Sequence, residues 1–219
     1  MAGRRGENNR KRDFLCPFST PGCYTGENTR SVPEGEEGEN TLTTQEIVAL
    51  ALNYGFSHGG AVRMEALEFL PEVREMCADG RCHMYGRCWT CPPACGTLEE
   101  AAARVKKYRR GILVQSTADM EDDFDVDAMQ ALDKVHKERF GRLVERLRAI
   151  WPNCLPMSSG ACTICKTCTY PDVPCRFPDR AIPSMEAYGL FVSRVCEQSG
   201  MEYCYGPRTL TYTACVLID

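Results

Sequence analysis

From Cys77 to Gly96 the chain reads CADGRCHMYGRCWTCPPACG, which puts Cys77, Cys82, Cys88, Cys91 and Cys95 in one short segment. A later segment, GACTICKTCTYPDVPCRFP, supplies Cys162, Cys165, Cys168 and Cys175. Thiols this dense and this closely stepped are not what a hydrophobic core requires. Thiolate is a soft anionic ligand suited to zinc and to iron–sulfur cores, so the chemistry these residues point to is metal coordination.

A cubane core needs thiolates converging on a volume a few ångströms across, and short CxxC steps let the chain wrap around it. The second group shares the CxxCxxC opening of bacterial ferredoxin motifs, but six residues separate Cys168 from Cys175 where that pattern has three. The fourth ligand is therefore open between Cys175, the expected one, and Cys154. Gaps of four, five, two and three residues divide the first group, so at least one of its five thiols is spare if it holds a single cubane. Pro92 and Pro93 turn the chain away behind Cys91. Trp89 and Tyr85 are placed to screen a cluster from solvent, which tunes its potential; the plain alternative is core packing.

Zinc is the rival, because two sets of four thiolates also make tetrahedral structural sites. Iron is favoured by the triplet spacing, by the surplus thiol and by the scarcity of histidine, with only His58, His83 and His136 in the chain. His83 alone stands beside a cysteine, and it is expected to be exposed or a neighbour of the ligands. The expectation is two [4Fe-4S] clusters, with Zn as the alternative. Their negative charge calls for compensation from helix starts near Thr97 and Ser184 and from Arg176, with Lys166 and Arg180 as further cations.

The elements that must carry these loops follow from caps and periodicity. Thr43 and Glu46 form a capping box and Leu42 can staple onto Ile47, so a helix runs from there to about Tyr54, ended by Gly55. Residues 61–70 suggest a short strand and turn. Thr97 caps a helix to about Tyr108, whose basic end (Arg104, Lys106, Lys107, Arg109, Arg110) complements the helix dipole. Gly111 to Thr117 reads as a buried strand. The acidic run from Asp119 to Asp127 leads into a long helix with Leu132, Val135, Leu143, Val144, Leu147 and Ile150 on its apolar stripe and Glu138 paired with Arg142. Trp151 and Pro152 close it, and a strand is expected over residues 153–157. Ser184 is expected to cap a helix to about Gln198, with Gly200 after it, and residues 203–218 look like a terminal hairpin. Together these predict an α/β domain: a small mixed sheet covered by helices, with two Cys-rich metal-binding loops.

The chain has 219 residues, fifteen cysteines and a formal net charge of −4. The acidic balance argues against nucleic acid or anionic lipid as a partner. No apolar run approaches the ~20 residues of a membrane span. No secretory signal is visible, so the thiols are expected to be reduced and the protein cytoplasmic. Residues 1–41 have the composition of a mostly flexible tail, in which Cys16 and Cys23 read as free thiols or cluster caps, ahead of a single domain over 42–219.

Cys77, Cys82, the YGxxWxCPP run from Tyr85 to Pro93, the CxxCxxC group ending in Cys175-Arg176-Phe177-Pro178, and Ser184-Met185-Glu186-Ala187 before Gly189 together resemble a cysteine-rich family of predicted metal-binding proteins of unknown function. The resemblance covers the chain from about Thr43 onward. It implies that Cys77, Cys82, Cys91, Cys162, Cys165, Cys168 and Cys175 are shared metal ligands, whereas Cys88 and Cys95 stand outside the family pattern. No nucleotide-binding loop or catalytic triad accompanies them. The expected function is electron transfer or redox chemistry with a partner protein in anaerobic metabolism. The alternatives are an enzyme whose open-site cluster performs sulfur removal or a lyase-type step on a small-molecule substrate, with Cys88, Cys95, His83 and Tyr85 as candidate reacting groups, and a structural zinc-binding interaction module.

Overall fold

The apolar run after Arg110 forms the middle of a ten-residue strand, β2 (Arg110–Asp119), buried on both faces. The structure is a computed structural model describing residues 42–80, 82–122 and 124–218; these fall within one compact unit, Asn40–Asp219. Cys16, Cys23 and the expected tail lie outside the described residues.

In chain order the elements are α1 (Thr44–Asn53), β1 (His58–Ala61), α2 (Pro71–Ala78), α3 (Leu98–Val105), β2, α4 (Val126–Arg148), β3 (Leu155–Met157), α5 (Val192–Gln198) and β4 (Thr209–Ile218). The sheet order is β1-β2-β4-β3. β2 and β4 pair antiparallel from Arg110↔Ile218 to Asp119↔Thr209, and β1 and β3 add antiparallel to their outer edges. The expected α/β class holds, with the four strands paired antiparallel throughout rather than mixed; one isolated parallel bridge among the described residues, between Ser158 and Ser184, lies outside the strands.

Because side chains alternate along a strand, β2 and β4 feed two cores. Ile112, Val114, Ala214, Val216 and Ile218 pack with Ile47 and Ala51 of α1 and Phe140, Leu143, Val144 and Leu147 of α4. Leu113, Cys215 and Leu217 face Val105 of α3, Val192, Val195 and Cys196 of α5, and Met185, Tyr188 and Leu190. Each fully buried Leu or Ile contributes about 1.5–3 kcal/mol. This double burial is why β2 reads as a continuous apolar run, where a half-exposed strand would alternate.

The caps act as their residue types dictate. Thr43 and Glu46 form the expected capping box, Leu42 packs against the Ile47 cluster, and Gly55 follows at φ +92°. Thr97 and Glu100 make a second capping box on α3, which ends at Val105, short of Tyr108. Asp125 Oδ1 accepts from the Ala128 amide at 3.0 Å and opens α4. On α4 the buried stripe includes His136 and Phe140, whereas Val135 is 37 % exposed. Arg142 lies over the Tyr54 ring at 5.4 Å, not against Glu138 as expected.

Four expectations need correction. The first strand lies at His58–Ala61, ahead of the place expected, and a 3-10 turn at Met64–Ala66 follows it. Helix α2 was not foreseen, although Pro71 at its first turn is a helix-start signal. The helix expected from Ser184 to Gln198 is two pieces, a 3-10 turn at Glu186–Tyr188 and α5, separated by Gly189 at φ +80°. The terminal hairpin does not form: both edges of β4 are taken by β2 and β3, and Tyr205 stacks on His58 instead, 3.8 Å between ring centroids.

Candidate metal centre

The first group of thiols straddles a helix and a coiled loop. Cys77 sits in the last turn of α2, and Cys82, Cys88, Cys91 and Cys95 follow in turns that lead into α3. Backbone bonds wind this loop tightly: Gly86 donates to the Pro92 carbonyl at 2.9 Å, Cys91 to Cys88 at 3.1 Å, and Cys95 to Cys91 at 3.1 Å. The Pro92-Pro93 bond is cis. Arg74 Nη1 reaches the Gly96 carbonyl at 3.0 Å and Arg104 Nη2 the Cys95 carbonyl at 3.3 Å, so two cations brace the loop end.

The second group hangs between β3 and the Glu186 turn with no regular secondary structure around it. Arg176 Nη1 donates to the Thr167 carbonyl at 3.0 Å, bridging the two halves of the loop. Trp89 Nε1, from the first group, donates to the Val173 carbonyl at 3.1 Å, and its ring meets Tyr170 edge-on at 4.9 Å. The two cysteine segments, some seventy residues apart in sequence, are therefore fastened to each other.

Two cavities open at this junction. A small one of about 70 Å³ is lined by Cys162, Cys165, Cys168 and Cys175, and also by Cys88. Arg176 and Lys166 stand on the same wall. Beside it a wider cavity of about 410 Å³ is walled by Trp89, Pro171, Pro174, Pro178 and Pro183, and Cys175 lines both. The remaining thiols interact with one another. Burial pushes the Cys77 thiol up, and the charges of Cys82 and Glu186 add to that against Arg74. Cys91 is pushed up to about 12, chiefly by burial and then by Cys88. Cys95 is raised by burial against the pull of Arg74 and Arg104. Cys162 is raised by burial, with Cys88, Cys175 and Cys165 contributing. At Cys168 burial also acts upward, but bonds from the Tyr170, Trp89 and Thr169 amides and the Cys88 thiol outweigh it and hold the group below the ordinary thiol range.

All thirteen cysteines among the described residues are free thiols. No three Cys, His, Asp or Glu side chains among the described residues converge closely enough to hold one ion as they stand. Four thiolates on one zinc lie roughly 3.8 Å apart, from Zn–S bonds of about 2.3 Å in a tetrahedron; an inorganic core with volume of its own needs them wider. At the first group, Arg74 Nε is a buried donor without an acceptor among the described residues, and a thiolate-bound anionic core would supply one. Donor type, donor number and this orphaned cation all fit a metal centre.

Residues 61–218 match the family described as predicted metal-binding protein (DUF2284). The chain belongs to that family. No curated protein and no solved structure matches the chain. All nine cysteines of the two groups fall inside the stretch matched to DUF2284.

Within this DUF2284 chain, several expected residues stand elsewhere. Cys88, grouped by sequence with the first set, lines the cavity of the second. Cys154 is buried against Trp151 in the α1–α4 core, where Arg148 faces it, so it does not serve as the reserve ligand. Tyr85 is 40 % exposed and lines neither cavity. His83 is exposed, as is Cys82 beside it. At the α3 start the Thr97 and Glu100 amides are spent in the capping box, and Ser184 opens only a turn, its Oγ accepting from the Ala187 amide at 3.1 Å. The cations at the two loops are Arg74 and Arg104, which bond to the Gly96 and Cys95 carbonyls, and Arg176 and Lys166, which line the second group's cavity. Arg74 was missed, although Pro71 could have revealed the helix that carries it; Glu186, read only as part of the family-like motif, has an Oε2 buried without a partner among the described residues.

Proposed function

We propose that the protein carries two [4Fe-4S] clusters, one on Cys162, Cys165, Cys168 and Cys175 and one on Cys77, Cys82, Cys91 and Cys95, and passes single electrons to a redox partner protein in the anaerobic metabolism of the cytoplasm. The observation that carries this reading is the cavity of about 70 Å³ among free thiols, which offers a volume where a mononuclear zinc site would offer a point. Such clusters supply reversible one-electron chemistry at potentials set by charge, hydrogen bonds to sulfur and solvent access. The chain's own part is to hold the sulfurs, brace the loops with Arg74, Arg104 and Arg176, and cover the second site with Trp89. Anaerobic purification should yield about eight irons and eight sulfides per chain, with a reversible low-potential EPR signal. A protein that takes up only zinc and shows no visible absorbance would refute it.

One observation favours a second reading. The cavity of about 410 Å³ reaches Cys175 and falls within the usual 300–1,000 Å³ of small-molecule sites. An enzyme with an open iron beside that cavity would bind an apolar substrate there. Its signature is an EPR change when substrate candidates are added to the reduced protein, and full cysteine ligation of every iron would exclude it.

A further inference from the structure

The second cysteine loop is closed at its base. Ser158 donates to the Pro183 carbonyl at 2.8 Å and its own carbonyl takes the Met185 amide at 3.0 Å. Between those bonds no helix or strand holds Cys162, Cys165, Cys168 and Cys175 in place. Helix α4 reaches the loop from outside. Lys137 Nζ donates to the Ala161 carbonyl at 2.8 Å and to Asp133 Oδ2, also at 2.8 Å. Arg148 Nη1 donates to the Asp179 carbonyl, beyond Cys175. The two cations stand on α4 about 16.5 Å apart along its axis. The helix is itself fixed to the sheet, by the buried side chains of Phe140, Leu143, Val144 and Leu147 and by Tyr212 Oη, which donates to the Met129 carbonyl at 3.3 Å. Both ends of the loop are thereby referred to a rigid element.

Ala161 immediately precedes Cys162. Its carbonyl and the Cys162 amide belong to one planar peptide unit, so a bond that fixes the oxygen also fixes the direction in which Cys162 sets out. The cation that makes this bond is shielded: the Lys137 side chain is 17 % exposed and that of Asp133 24 %. That separates the pair from exposed ion pairs, which contribute little. Asp133 offsets the ammonium's charge, so what Lys137 delivers to the loop is placement. Resting on the two-cluster reading above, we propose that Lys137, oriented by Asp133, is a positioning residue of the second site: by holding the Ala161–Cys162 peptide it places the Cys162 sulfur where one core meets all four sulfurs of that group.

The test follows the reduced, iron-loaded protein by EPR while an iron chelator is added, in wild type, Lys137→Met and Lys137→Arg. The signal of the second site is the one that Cys165→Ala removes. Methionine keeps the length of the side chain without a donor, and arginine keeps donors for both the carbonyl and the carboxylate. In Lys137→Met the second-site signal should decay about tenfold faster, as expected for loss of one hydrogen bond from a charged donor, while the first-site signal decays as in wild type. Lys137→Arg should restore most of the wild-type lifetime. Arg148→Met, which cuts the tether at the far end, tests the same claim should Lys137→Met fail to fold, and it should hasten the same signal. Second-site decay at the wild-type rate would overturn the proposal. So would equal acceleration of both signals, the mark of general loosening, or an arginine variant as labile as the methionine one. A wild type that holds no iron would instead overturn the cluster reading itself, before any variant is made.

Discussion

Arg74 on α2 donates from Nη1 to the Gly96 carbonyl at 3.0 Å, tying the helix that carries Cys77 to the end of the loop that carries Cys91 and Cys95. The same side chain keeps a buried Nε without an acceptor among the described residues, beside thiols whose acidity it increases. Arg74→Met keeps much of the packing volume but removes both the brace and the cation. The expected result is selective loss from the first group, with iron content falling toward about four per chain while the second group's EPR signal persists. Unchanged iron would show that the thiols alone organise that site.

Trp89 Nε1 bonds to the Val173 carbonyl at 3.1 Å, and Val173 lies in the six-residue gap between Cys168 and Cys175. In Trp89→Phe the ring stays against Tyr170 but the donor is gone. One such bond is worth about 1 kcal/mol net. Because Val173 is 55 % exposed, its carbonyl can turn to water and no full orphan penalty arises. Local opening of the gap should then become about fivefold more frequent, and visible absorbance should bleach in air about fivefold faster. An unaltered bleaching rate would mean that this gap is not the route by which oxygen enters.

The parts of this molecule that were legible in its sequence are those governed by local chemistry. Thr43–Glu46 and Thr97 cap helices because their side chains answer amides within three residues, and the run through Ile112 and Val114 is a strand because a two-sided sheet core selects it. Ser184 shows where that logic stops. It has a cap's chemistry, but Met185, Tyr188 and Leu190 are each pulled into the α3–α5 core, and the chain breaks its helix at Gly189 to deliver them. The cysteine groups were visible by type and spacing. That Cys88 belongs with the second group was not, because the pairing depends on the Trp89–Val173 contact between distant segments.

Gly189 is where that break can be measured. Its φ of +80° disfavours any side chain, and an added Cβ would stand 2.4 Å from Leu98 Cδ2 and 3.2 Å from the Leu70 carbonyl oxygen. Gly189→Ala should cost about 2–5 kcal/mol, from a left-handed backbone of about 1–2 kcal/mol plus overpacking of about 1–3. Gly141, in the interior of α4 with nothing within 4 Å of a Cβ, gives the opposite sign: Gly141→Ala should add about 1 kcal/mol of helix propensity. Urea midpoints of the two variants moving in the same direction would contradict this account of the turn.

His136 links α4 to β2 through a 3.0 Å hydrogen bond between Nδ1 and Ser116 Oγ, and its Nε2 is buried with no partner among the described residues. Phe56, Phe140 and Tyr212 surround the ring. Burial first, and then the charges of Lys137 and Arg139, push its pKa down to about 3. In the unfolded chain the same group titrates near 6.5. Between those values the unfolded state binds a proton that the fold refuses, so stability fully present above about pH 6.5 falls as pH drops, by about 1.4 kcal/mol per unit. From pH 7 to 5 this group alone should cost about 2 kcal/mol. The double variant His136→Leu with Ser116→Ala removes the titrating ring without stranding the serine hydroxyl. Guanidinium unfolding of wild type and double variant across that range, in the same metal-loaded state, should show wild-type stability falling by that extra amount; parallel curves would mean that His136 gains its proton inside the fold.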